Sequence, residues 1–105
     1  MMRELEIDEP FEVMQGCPTV CFKVGGNATM LPWSAFSSAR ISNDRITLEF
    51  GDRIVTVEGN LLEVLWRLIQ LQDVREVKVG GEADAKQCRI EAITIGEIPR
   101  LQDDG

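Results

Sequence analysis

The chain has 105 residues, a hydrophobic fraction of 44% and a net charge of −7, with 18 acidic against 11 basic side chains. This length and composition predict one small folded domain spanning residues 1–105, and the negative charge argues against nucleic acid or an anionic membrane surface as a partner. No apolar run reaches the roughly 18 residues that a membrane span needs, and the acidic N-terminus lacks the layout of a signal peptide, so we expect a cytoplasmic protein.

The residue types that are absent limit the possible chemistry. The chain has no histidine, which excludes Ser-His-Asp catalysis, Cys-His catalysis and histidine-based metal sites. No base lies near the serines in sequence, and nothing pairs a carboxylate with a nucleophile. The glycine pairs at 25–26 and 80–81 do not match a phosphate-binding loop. We therefore predict no catalytic residue, no cofactor and no enzymatic activity.

The three cysteines raise the question of a metal site. Cys17 and Cys21 could bind zinc with Cys88 as a third ligand, but no further cysteine or histidine completes such a site. We interpret all three as reduced thiols that behave as small hydrophobes, as is usual for an odd cysteine count without a secretion signal. No metal is predicted.

The N-terminal residues 1–16 read as an acidic arm or an edge strand. Apolar and acidic residues alternate in this segment. Pro10 interrupts it, and proline is tolerated at a sheet edge but not in a central strand.

Residues 19–24 and 28–33 predict a hairpin closed by the turn residues Gly25-Gly26-Asn27. The favoured loop, Gly26-Asn27, puts large apolar groups opposite each other, pairing Phe22 with Leu31 and Val20 with Trp33. The alternative loop, Gly25-Gly26, pairs Val20 with Leu31 and Phe22 with Thr29.

Residues 34–42 suggest a short turn followed by a strand that ends at Ile41. A second hairpin follows over residues 45–58, with Gly51-Asp52 as a type II′ turn. Counting back from this turn predicts two faces. The core face pairs Phe50 with Arg53, Leu48 with Val55 and Ile46 with Val57, and the wetter face pairs Glu49 with Ile54, Thr47 with Thr56 and Arg45 with Glu58.

The stretch 60–72, NLLEVLWRLIQLQ, predicts the single helix. Asn60 is expected to cap it, with Glu63 three residues on in a capping-box arrangement. Its apolar side chains cover an arc of roughly 220°, whereas the stripe of a surface helix is nearer 100° wide. The helix is therefore expected to contact a sheet on one side and further chain segments or a second copy on the other.

Strands are predicted after the helix at residues 74–79 and 89–95, separated by a flexible polar loop at 80–86. The passage from Ile54 to Val79 suggests a right-handed crossover that makes its two strands parallel neighbours. In the last strand, Ile90 and Ala92 are expected on one face and Ile93 and Ile95 on the other. Residues 101–105 look like a frayed tail.

Three segments, LPWSAF at 31–36, SARI at 38–41 and RITLEF at 45–50, resemble a strand–bend–strand passage of bacterial pleckstrin-homology-like domains. The resemblance covers a small part of the chain. Those domains end in their helix, whereas two predicted strands follow the helix here. The resemblance implies an apolar-ligand site, for a lipid or a metabolite, between helix and sheet.

Together these patterns predict an α+β domain with a mostly antiparallel, twisted sheet of six to eight short strands and one amphipathic helix packed on it. The leading functional hypothesis is a non-enzymatic interaction module that forms a homodimer or binds another protein. Its contact residues are predicted around Leu62, Trp66 and Ile69, with Trp33 as a further anchor. The opposite helix flank, with Val64 and Leu71, is the alternative, and all of these side chains could instead complete the core.

Overall fold

The structure, a computed structural model, describes residues 10–80 and 88–97. These residues contain eight strands and one α-helix, which confirms the predicted α+β class. In chain order the elements are β1 (Phe11–Val13), β2 (Thr19–Val24), β3 (Asn27–Pro32), a short 3-10 helix (Trp33–Ala35), β4 (Phe36–Ser42), β5 (Arg45–Phe50), β6 (Arg53–Asn60), α1 (Glu63–Leu71), β7 (Val74–Lys78) and β8 (Arg89–Glu97).

The strands form two four-stranded sheets. The first sheet has the order β1-β7-β2-β3 and the second has the order β4-β5-β6-β8. All neighbours are antiparallel except β2 and β7, which are parallel. The predicted crossover is therefore wrong, because β6 and β7 lie in different sheets. Both edges of β6 are already paired, with β5 and β8, so β7 crosses to the first sheet.

The hairpin of β5 and β6 has the predicted register at all six residue pairs. Gly51 has a φ of 61°, which a type II′ turn requires at its first central position. Arg45 and Glu58 form an ion pair of 3.0 Å on the exposed face. Turn chemistry and hydrophobic alternation agree here, so local sequence was sufficient to set the register.

The favoured register of the β2–β3 hairpin is wrong, and the alternative is the observed one. Val20 pairs with Leu31 and Phe22 with Thr29, across a Gly25-Gly26 turn in which Gly25 has a φ of 60°. Phe22 needs no large partner on β3 because its ring packs edge-on against Phe50 of the second sheet, at 6.1 Å between centroids.

The helix begins three residues later than predicted. Asn60 is the last residue of β6 and pairs with Arg89 of β8, and Leu61 then turns the chain with a φ of 53°. The capping box is therefore not formed, and Leu62 occupies the N-cap position without a side-chain cap bond. Pairing with β8 holds Asn60 in the sheet, where it cannot cap a helix.

A bulge changes the predicted faces of β8. The register shifts between Glu58 and Gly59 of β6, so Ile90 and Ile93, predicted on opposite faces, are both buried. Gly59 is essential to this bulge, because a Cβ there would meet the Arg89 carbonyl and lie 2.9 Å from Ile90 Cα. Strict alternation implied apolar side chains on both faces of β8, and therefore a packing layer on each side. With the bulge, the chain does not need this second layer.

The two sheets enclose one core. Trp33 lies where the 3-10 helix leads from β3 to β4, and its ring contacts Phe36 and Phe50 at 5.3 and 5.6 Å. Its indole Nε1 donates to the carbonyl oxygen of Val74 at 3.3 Å. A backbone bridge between Gly80 and Ile90 links the end of β7 to β8. Trp33, this bridge and the Phe22–Phe50 contact all join the two sheets.

At the N-terminal side, β1 forms one edge of the first sheet and pairs with β7. Residues 1–9, most of the predicted polar loop and the predicted tail at 101–105 lie outside the described residues. The helix stands between β6 and β7, not at the end of the fold as in pleckstrin-homology-like domains.

Candidate interaction surface and sulfur-lined groove

The helix buries one face in the core. Leu62, Leu65 and Ile69 on this face are at most 3% exposed. Trp33 is also buried, and Trp66 is half-buried against the same core. Three of the four predicted contact residues, namely Leu62, Ile69 and Trp33, thus complete the core of this chain, which was the alternative reading of these side chains. Their part in binding a partner is untested and stays a prediction.

A second apolar row lies on the flank of the helix beside its core face. Leu61 and Val64 are each 48% exposed and Leu71 is 66% exposed, while Leu68 between them is half-buried. We call these four residues the outer stripe. On the helix, Val64, Leu68 and Leu71 are spaced by four and three residues, the a/d pattern with which helices pack against each other. Leu61 precedes the N-cap residue, Leu62. Val64 and Leu71 were predicted from the sequence as the other helix flank. Leu61 was not part of that prediction, and its exposure just before the N-cap adds it.

Opposite charges border the outer stripe. Glu63 and Arg67 lie one helical turn apart on the polar side of α1, and both are exposed. The border is therefore locally neutral although the chain as a whole carries a charge of −7. A second copy would meet little charge repulsion at this position.

A groove of about 340 Å³ lies on the outer side of the first sheet. Cys21 and Met30 are directly opposite each other on β2 and β3, and Glu76 of β7 lies on the other side of Cys21. The flanking partners Val20, Leu31 and Val77 are buried, so Cys21, Met30 and Glu76 point outward. The lining residues are Met14, Cys17, Pro18, Thr19, Cys21, Met30, Arg75 and Glu76.

Ion pairs and thiol hydrogen bonds fix the surroundings of the groove. Glu76 pairs with Lys23 at 3.3 Å and Arg75 pairs with Glu12 at 3.3 Å. The buried thiol of Cys17 donates to the carbonyl oxygens of Val74 at 3.2 Å and Gln72 at 3.6 Å. Cys17 therefore anchors the turn before β2 and contributes to the floor of the groove.

Cys88 lies elsewhere: it is buried and directly precedes β8. Burial, together with the negative charge of Glu63, raises the pKa of its thiol to about 11. Among residues 10–80 and 88–97, no group of three or more cysteine, aspartate or glutamate side chains is arranged to hold a metal ion. The three-cysteine zinc arrangement considered from the sequence is therefore not formed there.

Within the described ranges, no helix is long and apolar enough to cross a membrane, since α1 has nine residues and a span needs about 20. The chain matches no protein-family model, and it shows no significant similarity to a curated protein or to a solved structure.

Proposed function

We propose that this protein is a non-enzymatic interaction module that forms a homodimer through the outer stripe of α1. The observation that carries this proposal is the stripe itself: Val64 and Leu71 are about half exposed or more at a/d spacing on the helix, and Leu61, just before the helix, is about half exposed. Single exposed apolar residues are normal on a protein surface, whereas a contiguous row along one helix is typical of a contact site.

A second copy of the chain is the partner that best suits this row. Dimers with a twofold axis use the same patch on both subunits. An a/d stripe is complementary to another a/d stripe, and the neutral border of Glu63 and Arg67 allows two such patches to approach. An unrelated partner would need its own matching row.

The size of the stripe sets the expected strength of the dimer. Covering the exposed half of a Val or Leu side chain contributes roughly 1 kcal/mol, or about 6 kcal/mol for three residues on each of two copies. Association costs at least about 4 kcal/mol in lost translational and rotational entropy. The stripe alone therefore leaves a net gain of about 2 kcal/mol at most. A weak dimer with a Kd of roughly 10–100 μM needs about 6 kcal/mol, so we expect the stripe to be the apolar centre of a wider interface that supplies the remaining amount of about 4 kcal/mol.

Sedimentation velocity over a concentration series from about 1 μM to about 500 μM, which brackets the expected Kd, tests the proposal. The wild-type protein should shift from monomer to dimer, and the double variant Val64→Glu/Leu71→Glu should stay monomeric. Both side chains are largely exposed, so the variant should keep its far-UV circular dichroism spectrum and its unfolding midpoint.

Gln70→Glu/Thr94→Glu is the matched control. It adds the same charge at two exposed positions outside the stripe and should dimerise like the wild type, apart from a small electrostatic weakening. A wild-type protein that remains monomeric throughout, or a stripe variant that dimerises as well as the control, contradicts the proposal.

The alternative of an apolar ligand held between helix and sheet has less support. Leu62, Leu65 and Ile69 fill that space with well-packed side chains. A thermal-shift screen with lipids and metabolites separates the two functions, because the unfolding midpoint rises with ligand concentration only if the protein binds the ligand.

A further inference from the structure

Sulfur-bearing side chains are concentrated at the groove on the first sheet. In the described part of the chain there are five such side chains, and four of them line the groove: Met14, Cys17, Cys21 and Met30. The fifth is Cys88. These residues come from three separate places along the chain, the turn before β2, β2 itself and β3, so the fold brings them together.

Cys21 and Met30 are directly opposite each other on one face of the sheet, as a two-coordinate site requires. Directly opposite residues in antiparallel strands have Cβ atoms about 5 Å apart with side chains on the same face. Two sulfur atoms bound to one ion by bonds of about 2.3 Å lie at most about 4.6 Å apart. The two side chains can therefore reach a common ion without moving the backbone.

The donor set of this pair selects the class of ion. Thiolate and thioether sulfur favour Cu(I), whereas Zn(II) needs four ligands and hard cations need oxygen. The nearest carboxylates are already engaged, Glu76 with Lys23 and Glu12 with Arg75. Arg75 donates from Nη1 to the Sδ atom of Met14 at 3.9 Å, so that sulfur is already engaged. The ion pair of Arg75 with Glu12 reduces its repulsion of a cation.

We propose that Cys21 and Met30 bind one Cu(I) ion on the outer face of the first sheet as a two-coordinate site. On binding, the Cys21 thiol releases its proton to solvent and its thiolate forms a bond to Cu(I). Met30 donates a sulfur lone pair, and the copper stays in the +1 state throughout. Cys17 is not a ligand of this site, because its thiol donates to the Val74 carbonyl oxygen. The site is independent of the dimer contact on α1.

Anaerobic competition for Cu(I) with a chromophoric chelator, bicinchoninate, tests the site on the full chain. The wild type should withdraw one equivalent of Cu(I) from the chelator. Cys21→Ser should weaken binding by at least about 100-fold and Met30→Leu, which keeps the bulk but removes the sulfur donor, by about 10-fold. Cys21 is half-buried and Met30 is 63% exposed, so both variants should fold, which circular dichroism verifies.

Cys88→Ala is the control, because it removes a sulfur outside the groove and should leave Cu(I) binding unchanged. Failure of the wild type to take Cu(I) from the chelator overturns the proposal. So does a Cys21→Ser variant that binds like the wild type, or a loss of binding that follows Cys88 instead.

Discussion

The three cysteines have three different environments, and the environment of each determines its chemistry. Cys17 is buried and hydrogen-bonded to backbone carbonyl oxygens. Cys21 is half-buried at an open groove. Cys88 is buried and lies within the electrostatic reach of Glu63. Cys21 is therefore the thiol best placed to react or bind, and Cys88 should remain a neutral thiol at physiological pH.

The raised pKa of Cys88 predicts a loss of stability in alkaline solution. Its pKa is 9.0 without perturbation and about 11 in the folded chain, so between these values the unfolded chain loses a proton that the folded chain retains. Stability should thus fall as pH rises through this window, and below it the thiol is protonated in both states and contributes nothing. The loss due to this group should approach about 2 kcal/mol.

Urea unfolding of the wild type and of Cys88→Ala at about pH 8 and about pH 10.5 measures this effect. The free energy of unfolding of the wild type, relative to that of Cys88→Ala, should fall by about 1–2 kcal/mol from the lower to the higher pH. Other titrating groups are common to both proteins and cancel. An equal pH dependence in the two proteins would show that Cys88 is not perturbed.

At the scale of elements, the ends of α1 are set by the backbone more than by capping side chains. The helix ends in a Schellman motif, in which the N–H of Gln72 donates to the Ile69 carbonyl and that of Asp73 donates to the Leu68 carbonyl, both at 3.0 Å. Gln72 adopts the left-handed conformation, with a φ of 57°. Glycine is the residue usually found at this position, because it has no Cβ to clash.

Replacing Gln72 with glycine should therefore stabilise the protein. Removing the left-handed strain at residue 72 stabilises the folded chain by about 1 kcal/mol. Glycine also gives the unfolded chain more conformational freedom, which offsets part of this effect and leaves a net stabilisation of about 0.5 kcal/mol. Gln70→Gly is the matched control, since it lies inside the same helix on the exposed face and should cost about 1 kcal/mol. Chemical denaturation measures both, and opposite signs are expected.

At the scale of the whole molecule, two sheets share one core and the helix crosses between them. Trp33 at one junction and the Gly80–Ile90 bridge at another tie the sheets together. The helix supplies Leu65 and Ile69 to this core, while Val64 and Leu71 of its outer stripe stay exposed. Apolar side chains that stay exposed elsewhere in the described residues include Val13, Met14, Met30 and Val79.

Net charge should make self-association depend on salt. Each copy carries a charge of −7, so two copies repel each other. The screening length of this repulsion is about 30 Å at an ionic strength of 0.01 M and only about 3 Å at 1 M. The dimer should therefore be several-fold tighter in about 0.5 M than in about 0.02 M sodium chloride. Sedimentation equilibrium at both concentrations measures the change, and a dimer weakened by salt would indicate an interface held by ion pairs instead of the stripe.

The sequence by itself determined the features that depend on neighbouring residues. The α+β class, the existence of the helix and the full register of the β5–β6 hairpin follow from hydrophobic periodicity and from a glycine at the one turn position that needs positive φ. The outer stripe was partly visible as well, because the apolar arc of the helix is wider than one sheet can cover.

The tertiary structure decided the features that depend on distant partners. The division into two sheets follows from the pairing of β6 on both edges, and the β2–β3 register follows from the contact of Phe22 with Phe50. Pairing with Arg89 holds Asn60 in a strand. The groove at Cys21 is formed by residues that include members of β2, β3 and β7. Neither periodicity nor turn chemistry encodes these contacts, because each joins segments that lie far apart along the chain.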